Sequence, residues 1–478
     1  MEHGRRWWVL AAVSLATFMT YLDNNVVNVA LPTIQRDLGL SISGLEWIVS
    51  GYILVFAGLM LVGGRLADLF GRGRVFLGGL AAFTLASLLA GLAGSQEMLL
   101  GARVLQGAGA ALLTPAALAI LPATFTQARE RAAAIGIWSA VGALALAFGP
   151  LTGGFISQHW HWGWIYLINV PIGIVTLVLG AVAIRETGTE RNRRRLDLPG
   201  LATSSIALVA LTYGLIEGER RGWTSAVILG AFAVAVLAGL AFWLVERSGG
   251  DPMVDLSLFR SRLFSGGTGA MGLWAFGIFG IYFYTALYLQ NVLGLSPVRA
   301  GAAFVPMALV LAVVAGVSGP IAARIGTHIA VAAGLGMMAV AVLGLASVGQ
   351  GAGVAALMPW FLLYGLGGGL LVPLTTVIVA QLPPSREGVA SGILNVSREV
   401  FGLLGVTVLG AILSTRRSSE LRGGADPLHA FLSAYQFALI VAAVIVAVGV
   451  PVSLWALRTR RTAQVPAQPH EELVPDLV

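Results

Sequence analysis

The sequence predicts an all-α, polytopic membrane protein, and three observations carry that reading. Of 478 residues, 57% are hydrophobic and 11% charged, whereas a soluble chain is about 45–50% apolar and about 25% charged. Mean hydropathy is +0.86, and no polar stretch of domain size interrupts it. The apolar residues fall in runs of about 20, the length a helix needs to cross a hydrocarbon core of about 30 Å. Such runs are too long and too uniform for barrel strands, which alternate over about ten residues. Lipid satisfies no backbone N–H or C=O, so helices are the remaining way across.

Fourteen spans are expected, at residues 7–30, 47–63, 75–94, 98–121, 132–156, 164–184, 201–216, 226–245, 263–289, 300–323, 329–348, 354–380, 388–413 and 431–457. The first run continues without a small-residue cleavage site and reads as a retained span, not a signal peptide. Polar breaks at 185–197 and 246–262 set spans 7 and 8 apart. The expected organisation is therefore a six-helix half (1–184), linkers with an extra helix pair (185–262), a second six-helix half (263–457) and a tail (458–478).

The formal net charge is +7, and all 29 basic residues are Arg. In a membrane chain such an excess marks cytoplasmic loops, and no nucleic-acid partner is expected. With both termini inside, Arg5, Arg6, Arg72, Arg74, Arg129, Arg131, Arg185, the arginines of 191–195, Arg247, Arg260, Arg262, Arg324, Arg386, Arg458, Arg460 and Arg461 are cytoplasmic. Arg36, Arg220, Arg221, Arg416, Arg417 and Arg422 are external. This bias predicts cytoplasmic termini, and the expected location is a bacterial inner (cytoplasmic) membrane. Cys is absent, which excludes disulfides, thiolate metal sites and cysteine nucleophiles. The six His form no ligand-like cluster; His159 and His161 lie in a Trp-rich loop and read as interfacial. With no nucleophile–base pair, phosphate loop or metal cluster, the expectation is a non-enzyme without cofactor or metal, acting as a monomer.

An internal repeat points to a two-halved transporter. GAGAALLTP runs from Gly107 to Pro115 in span 4, and GLGGGLLVP from Gly365 to Pro373 in span 12. Arg129-Glu130 and Arg386-Glu387 follow at matching places. Secondary transporters use such repeats to frame a midplane site that opens to each side in turn.

Ionisable residues inside spans are costly, at least about 2.5–3.5 kcal/mol on insertion scales, and are candidate functional groups. Asp23 in span 1 and Arg103 in span 4 lie at similar depth in the outer half. A guanidinium beside a carboxylate favours its charged form and low-dielectric surroundings disfavour it, so a change in access or separation would switch a proton on or off. That makes Asp23 and Arg103 candidates for proton coupling; a static ion pair is the alternative. Asn24, Asn25, Asn28 and Gln106 add amides that serve either substrate or helix packing. In span 13, Glu399 is a candidate second acid, unless its neighbour Arg398 merely neutralises it. Glu217 falls at an external end and is expected to be solvated.

Between spans 2 and 3, GGRLADLFGRGR (Gly64, Asp68, Gly71, Arg72, Arg74) combines a tight turn with opposite charges, a candidate conformational latch. In span 5, GPLTGG (Gly149, Pro150, Gly153, Gly154) allows a bend and close backbone approach. Span 9 carries Trp274, Phe276, Phe279, Tyr282, Phe283, Tyr284 and Tyr288, which pack against helices or lipid or stack a planar ligand. Trp274, Tyr282, Arg398, Asn24, Asn28 and Gln106 are the candidate substrate contacts.

These segments together resemble the major facilitator superfamily, in particular its fourteen-span drug:proton antiporter branch. GRLADLFGRGR is similar to the loop motif of helices 2 and 3, LDNNVVNVALP to the helix 1 motif, RVLQGAGAALLTP to the helix 4 motif and GPLTGG to the antiporter motif. WGWIYLINVPIG (162–173) and EGVASGILNVSREVFGLLG resemble two later signatures. There are three departures. Gly163 stands where the family usually has Arg, Ala145 replaces a Gly of the antiporter motif, and Glu399 stands where an amide is more usual. The resemblance implies the major facilitator fold and proton-driven export of small amphipathic drugs or antibiotics by alternating access. Proton-coupled uptake, or export of one dedicated metabolite, on the same fold is the alternative.

Overall fold

A computed structural model describes residues 2–184, 197–248, 252, 254–371, 374–379 and 384–458. The Arg-rich break at 185–196, Pro373, Arg460, Arg461 and most of the tail lie outside the described residues, as do the side chains of Arg129, Arg386 and Glu387. All regular structure among the described residues is helical. The first bundle contains α1 (Glu2–Leu38), α2 (Ile42–Phe70), α3 (Arg72–Gly91), α4 (Gln96–Thr124), α5 (Ala128–His159), the short α6 (Trp164–Leu167) and α7 (Asn169–Ala183). A pair follows, α8 (Leu198–Arg221) and α9 (Ala226–Ser248). The second bundle contains α10 (Arg262–Asn291), α11 (Pro297–Ile325), α12 (Thr327–Ala346), α13 (Val354–Leu371), α14 (Leu374–Val379), α15 (Pro384–Arg422) and α16 (Pro427–Ala456).

Twelve of these helices, counting α6 and α7 as one, are long and apolar enough to cross a membrane. This is a multi-pass membrane protein. The expected fourteen spans exceed that number by α1 and α5, whose 37 and 32 residues pack against each other. Polar side chains explain part of the shortfall, because α1 places Asp23 and three Asn in its middle. One boundary is corrected too: the helix of span 13 extends to Arg422. Span 12 is helical at Val354–Leu371 and Leu374–Val379, and residues 372, 373 and 380 lie outside the described residues.

Both described chain ends lie at one end of the bundle. Arg6 pairs with Glu130 at the start of α5 at 3.1 Å, and Arg262 at the start of α10 donates to the carbonyl of Arg458. The opposite, far end holds the turns after α1, α3, α5, α8, α10, α12 and α15.

The sequence repeat is a packing repeat. A Cβ added to Gly107 would stand 2.5 Å from the Tyr52 carbonyl of α2, and one on Gly365 would stand 2.4 Å from the Met307 carbonyl of α11. One half-turn on, Gly109 meets Gly79 of α3 and Gly367 meets Gly334 of α12. The same glycine register thus brings α4 and α13 onto their neighbours, backbone against backbone. The turns after α2 and α11 repeat as well: Gly71 has φ of 100° and Gly326 has φ of 94°, a region that favours glycine.

The extra pair is placed unlike the rest. Only 6% of the apolar window of α9 is covered by protein, against 72% for α10, so α9 faces lipid and rests on α8. Helix α8 packs on both α2 and α15, one helix from each bundle.

This packing predicts a contrast between two glycines of α4. Gly107→Val should lower the thermal unfolding temperature of the purified protein, with a cost of about 1–3 kcal/mol for overpacking. Gly101→Ala, whose Cβ would meet nothing within 4 Å, should leave it unchanged or raise it, since Ala favours helix by up to about 1 kcal/mol.

Candidate functional site

Asp23 is 1% exposed and Arg103 fully buried. Arg103 Nη1 donates to Asp23 Oδ2 at 2.5 Å. The second carboxylate oxygen, Oδ1, accepts from Gln106 Nε2 at 3.1 Å and from Asn169 Nδ2 at 2.8 Å. Gln106 also donates to Ser87 Oγ on α3 at 2.8 Å and accepts from Arg103 Nη1 at 3.0 Å. The Arg103 guanidinium lies 4.3 Å over the Tyr52 ring and 5.7 Å from that of Tyr166. Helices α1, α2, α3, α4, α6 and α7 therefore all contribute to one charged cluster.

Its local logic follows from spacing. Arg103 and Gln106 are three apart on α4 and share a face, and the small residues after them let α4 approach α2 and α3 closely. Asn169 starts α7, just past the α6 turn, so its side chain reaches α1. Three buried polar atoms here have no partner: Arg103 Nη2, Asn169 Oδ1 and Tyr166 Oη. Such orphans are rare in a native interior, and they leave hydrogen-bonding capacity for a proton or ligand.

The cluster as built is electrically neutral, one carboxylate against one guanidinium. Protonating Asp23 would leave Arg103 buried and uncompensated, a state costing several kcal/mol unless water or a rearrangement relieves it. A proton on Asp23 and this packing are therefore competing states.

Of the other sequence candidates, Asn24 and Asn28 are not brought to Asp23. Asn28 Nδ2 donates to the carbonyl of Asn24 at 3.1 Å, and Asn25 to that of Tyr21 at 2.7 Å. Glu399 is 2% exposed and its Oε1 accepts from its neighbour's Arg398 Nε at 3.0 Å and Nη2 at 2.7 Å. Glu399 Oε2 is buried without a partner. Tyr21 of α1 lies near Arg398, and Tyr52, whose ring lies under the Arg103 guanidinium, lies near Glu399 as well. Tyr52 thus stands between the charged groups of the two bundles.

The aromatic face of α10 divides. Tyr288 stacks on Tyr435 with centroids 4.7 Å apart, which is packing. Tyr282 lies on Phe304 at 4.4 Å, and its hydroxyl, the Trp274 indole N–H and the Tyr364 hydroxyl are buried without partners.

The GPLTGG segment does two jobs. Cβ atoms on Gly149 and Gly153 would strike Asn25 and the Val26 carbonyl of α1, while one on Gly154 would strike the Pro297 carbonyl of α11. Gly301 of α11 in turn faces the Pro150 carbonyl, where a Cβ would approach to 2.1 Å. Helix α5 is therefore pressed against its own bundle and against the other at the far end. Gly163 has a similar explanation: its Cβ would stand 2.2 Å from the Gly91 carbonyl. In the α2–α3 loop, Arg72 pairs with Asp68 at 3.8 Å and donates to the Ala119 carbonyl of α4 at 3.1 Å. Gly64 sits beside Pro115, and Arg74 is exposed.

Other groups escaped the sequence reading or were misjudged by it. Asn169 lay within a quoted signature but reads as one more neutral amide, and Ser87 has no signal. Glu217, expected to be solvated, is 7% exposed; it accepts from the Trp47 indole at 3.1 Å and from Arg220.

With the cluster in view, comparison with known proteins decides the family. The Major Facilitator Superfamily profile matches residues 13–406. The chain belongs to the major facilitator superfamily. It is 38% identical over 414 residues to the tetracenomycin C resistance and export protein of Streptomyces glaucescens, covering 86% of this chain and 77% of that protein. It is 35% identical over 455 residues to the puromycin resistance protein of Streptomyces alboniger, covering 91% and 89%. Multidrug resistance protein Stp of Mycobacterium tuberculosis is 37% identical over 414 residues, with 86% and 76% covered. Among solved structures, a bacterial homologue of the human lysosomal transporter Spinster, in an inward-facing and occupied conformation, superposes with a TM-score of 0.69 at 17% identity, covering 94% and 96% of the two chains. A peptide transporter of the POT family gives a TM-score of 0.69 at 15% identity, covering 96% and 98%. The chain is a membrane transporter, not an enzyme.

The charge balance predicts a non-additive mutant cycle. Arg103→Leu alone should cost about 3–5 kcal/mol, because it strands a buried carboxylate. Adding Asp23→Asn should recover a large part of that loss, read by thermal unfolding of single and double variants. Additive losses would mean that the pair is not coupled.

Proposed function

We propose that this transporter is a proton-coupled antiporter that exports small amphipathic drugs or antibiotics by alternating access. The observation that carries the proposal is the buried cluster in which the Asp23 carboxylate pairs with Arg103. The resistance and export proteins among its relatives support the direction and the substrate class. We read α1 and α5 as two further spans, giving fourteen in all. The halves are then 1–184 and 263–457, joined by 185–262, with 458–478 as a tail. The Arg bias puts the end bearing both termini in the cytoplasm of a bacterial cell and makes the far end external.

On that reading, the cycle starts with Asp23 ionised against Arg103 and the far end closed, and substrate enters from the cytoplasm between the bundles. The unpartnered polar atoms of Trp274, Tyr282 and Arg103 supply hydrogen bonds, and the aromatic faces of α10 supply apolar contact. When the far end opens, a proton from outside neutralises Asp23, the Arg103 bond breaks and substrate leaves. Return to the cytoplasmic-facing state expels the proton and restores the Asp23–Arg103 pair. Glu399, with one unpartnered oxygen, is proposed as a second site for a proton or a cationic substrate. The Asp68–Arg72 loop holds α2 and α3 to α4 as a latch. The role we assign to GPLTGG is to keep the external end sealed while the cytoplasmic side is open.

The test is proton movement in everted vesicles or proteoliposomes under an imposed pH gradient, with lipophilic dyes and antibiotics added in turn. Wild type should show substrate-triggered proton flux and Asp23→Asn should show none. Equal flux in both proteins would move the coupling away from Asp23.

A further inference from the structure

Glu46 is the one deeply buried acid that bridges the two bundles among the described residues, and the cycle above makes no use of it. It sits in the second turn of α2, near the far end, and is 2% exposed. Its Oε1 lies 2.9 Å from the Tyr284 hydroxyl of α10, and that hydroxyl is also 2.9 Å from the Val406 carbonyl of α15. Space for the pair comes from Gly410 of α15, where a Cβ would stand 2.3 Å from both Glu46 Oε1 and Tyr284 Oη. One residue of the first bundle is thereby plugged into a glycine-lined notch of the second.

Proton counting decides its chemical state. A phenol carries one proton and donates one hydrogen bond. A carbonyl oxygen only accepts, so if Tyr284 donates to Val406, then Glu46 must be the donor in the other bond, as the neutral acid. If Tyr284 instead donates to an ionised Glu46, the Val406 contact becomes oxygen against oxygen with no proton between. Among the described residues no cation lies within salt-bridge distance of Glu46. The groups facing it are Tyr284 on α10, Val406 and Gly410 on α15, and Glu217 on α8. Glu217 is itself held by Arg220, Arg221 and the Trp47 indole. An ionised Glu46 here would be an unpaired buried charge beside another acid, a costly arrangement.

We propose that Glu46 is a further proton-binding site of the transport cycle, separate from Asp23 and Glu399, whose neutral acid joins the two bundles at the far end and whose ionisation separates them. The closed far end then holds a proton on Glu46 while Asp23 is ionised. When the far end opens to water, Glu46 gives up its proton and its carboxylate is solvated. It must be reprotonated before the bundles can close again. The extra helix pair reinforces the same seam, since Glu217 of α8 binds Trp47 of α2 and Trp223 beyond α8 donates to Thr415 of α15 at 3.1 Å. The proposal rests on alternating access between the bundles but not on coupling at Asp23.

The test uses the whole 478-residue chain, whose lack of cysteine makes labelling specific. Spin labels at Ser43→Cys, at the start of α2, and Ser419→Cys, near the end of α15, report the far-end distance in nanodiscs. As pH rises from about 5 to about 9, across the range of carboxyl groups in proteins, the labelled parent should shift from a short to a long distance. Glu46→Gln, which keeps a neutral donor, should stay short throughout, and Tyr284→Phe should be long already at low pH. Asp23→Asn should keep a pH-dependent shift. Retention of the parental shift in Glu46→Gln, its loss in Asp23→Asn, or no shift in any protein would overturn the proposal. Transport with proton flux lost in Asp23→Asn but distances still governed by Glu46 would separate the two sites.

Discussion

The rest of the first bundle is organised around one buried ion pair. Asp23 and Arg103 meet at 2.5 Å with almost no exposed surface, where neither charge is stable alone. The carboxylate needs further donors, which is why Gln106 and Asn169 converge on it, and two aromatic rings flank the guanidinium. Such convergence demands close helices. Gly107, Gly109 and Gly79 provide it on one side, and Gly149 and Gly153, receiving α1, provide it on the other. Small residues and buried charge are two halves of one design.

The internal repeat shows how the same scaffold was given two chemistries. The glycines of α4 and α13 make equivalent backbone contacts, displaced by 258 positions from Gly107 to Gly365. At that displacement Arg103 and Gln106 correspond to Phe361 and Tyr364. One bundle therefore carries charge at positions where the other carries aromatic surface, with Phe304 in contact with both Phe361 and Tyr282. This division keeps buried charge and apolar surface in separate bundles, each in a suitable environment. The seam between them is lined by Tyr21 and Tyr52, neutral hydroxyls that tolerate both.

Much of this was legible in the sequence, for physical reasons. Charges inside apolar runs are expensive, so Asp23, Arg103, Arg398 and Glu399 stand out without any coordinates, and the repeated glycine run announces two bundles. Neutral partners do not stand out. Ser87 and Asn169 cost little in a helix, and Tyr52 and Tyr166 read as ordinary packing until a guanidinium is found over them. Glu46 was hidden by an edge effect. The apolar run of span 2 begins at Trp47, one residue later, and an acid at a span boundary reads as solvated. Glu217 was misjudged for the same reason, since hydropathy cannot see that Trp47 and Arg220 enclose it. The amides of Asn25 and Asn28 turn back to their own helix, a choice the sequence leaves open.

The central claim is that Asp23 changes protonation as substrate and packing change. Infrared difference spectroscopy of the purified protein, recorded on adding a transported substrate at constant pH, observes that carboxyl directly. The account predicts that the carbonyl band of a protonated carboxylic acid is lost as carboxylate bands appear when substrate favours the Arg103-paired state, with both features absent in Asp23→Asn. Identical difference bands in wild type and Asp23→Asn would contradict it and leave the Asp23–Arg103 pair a structural tie.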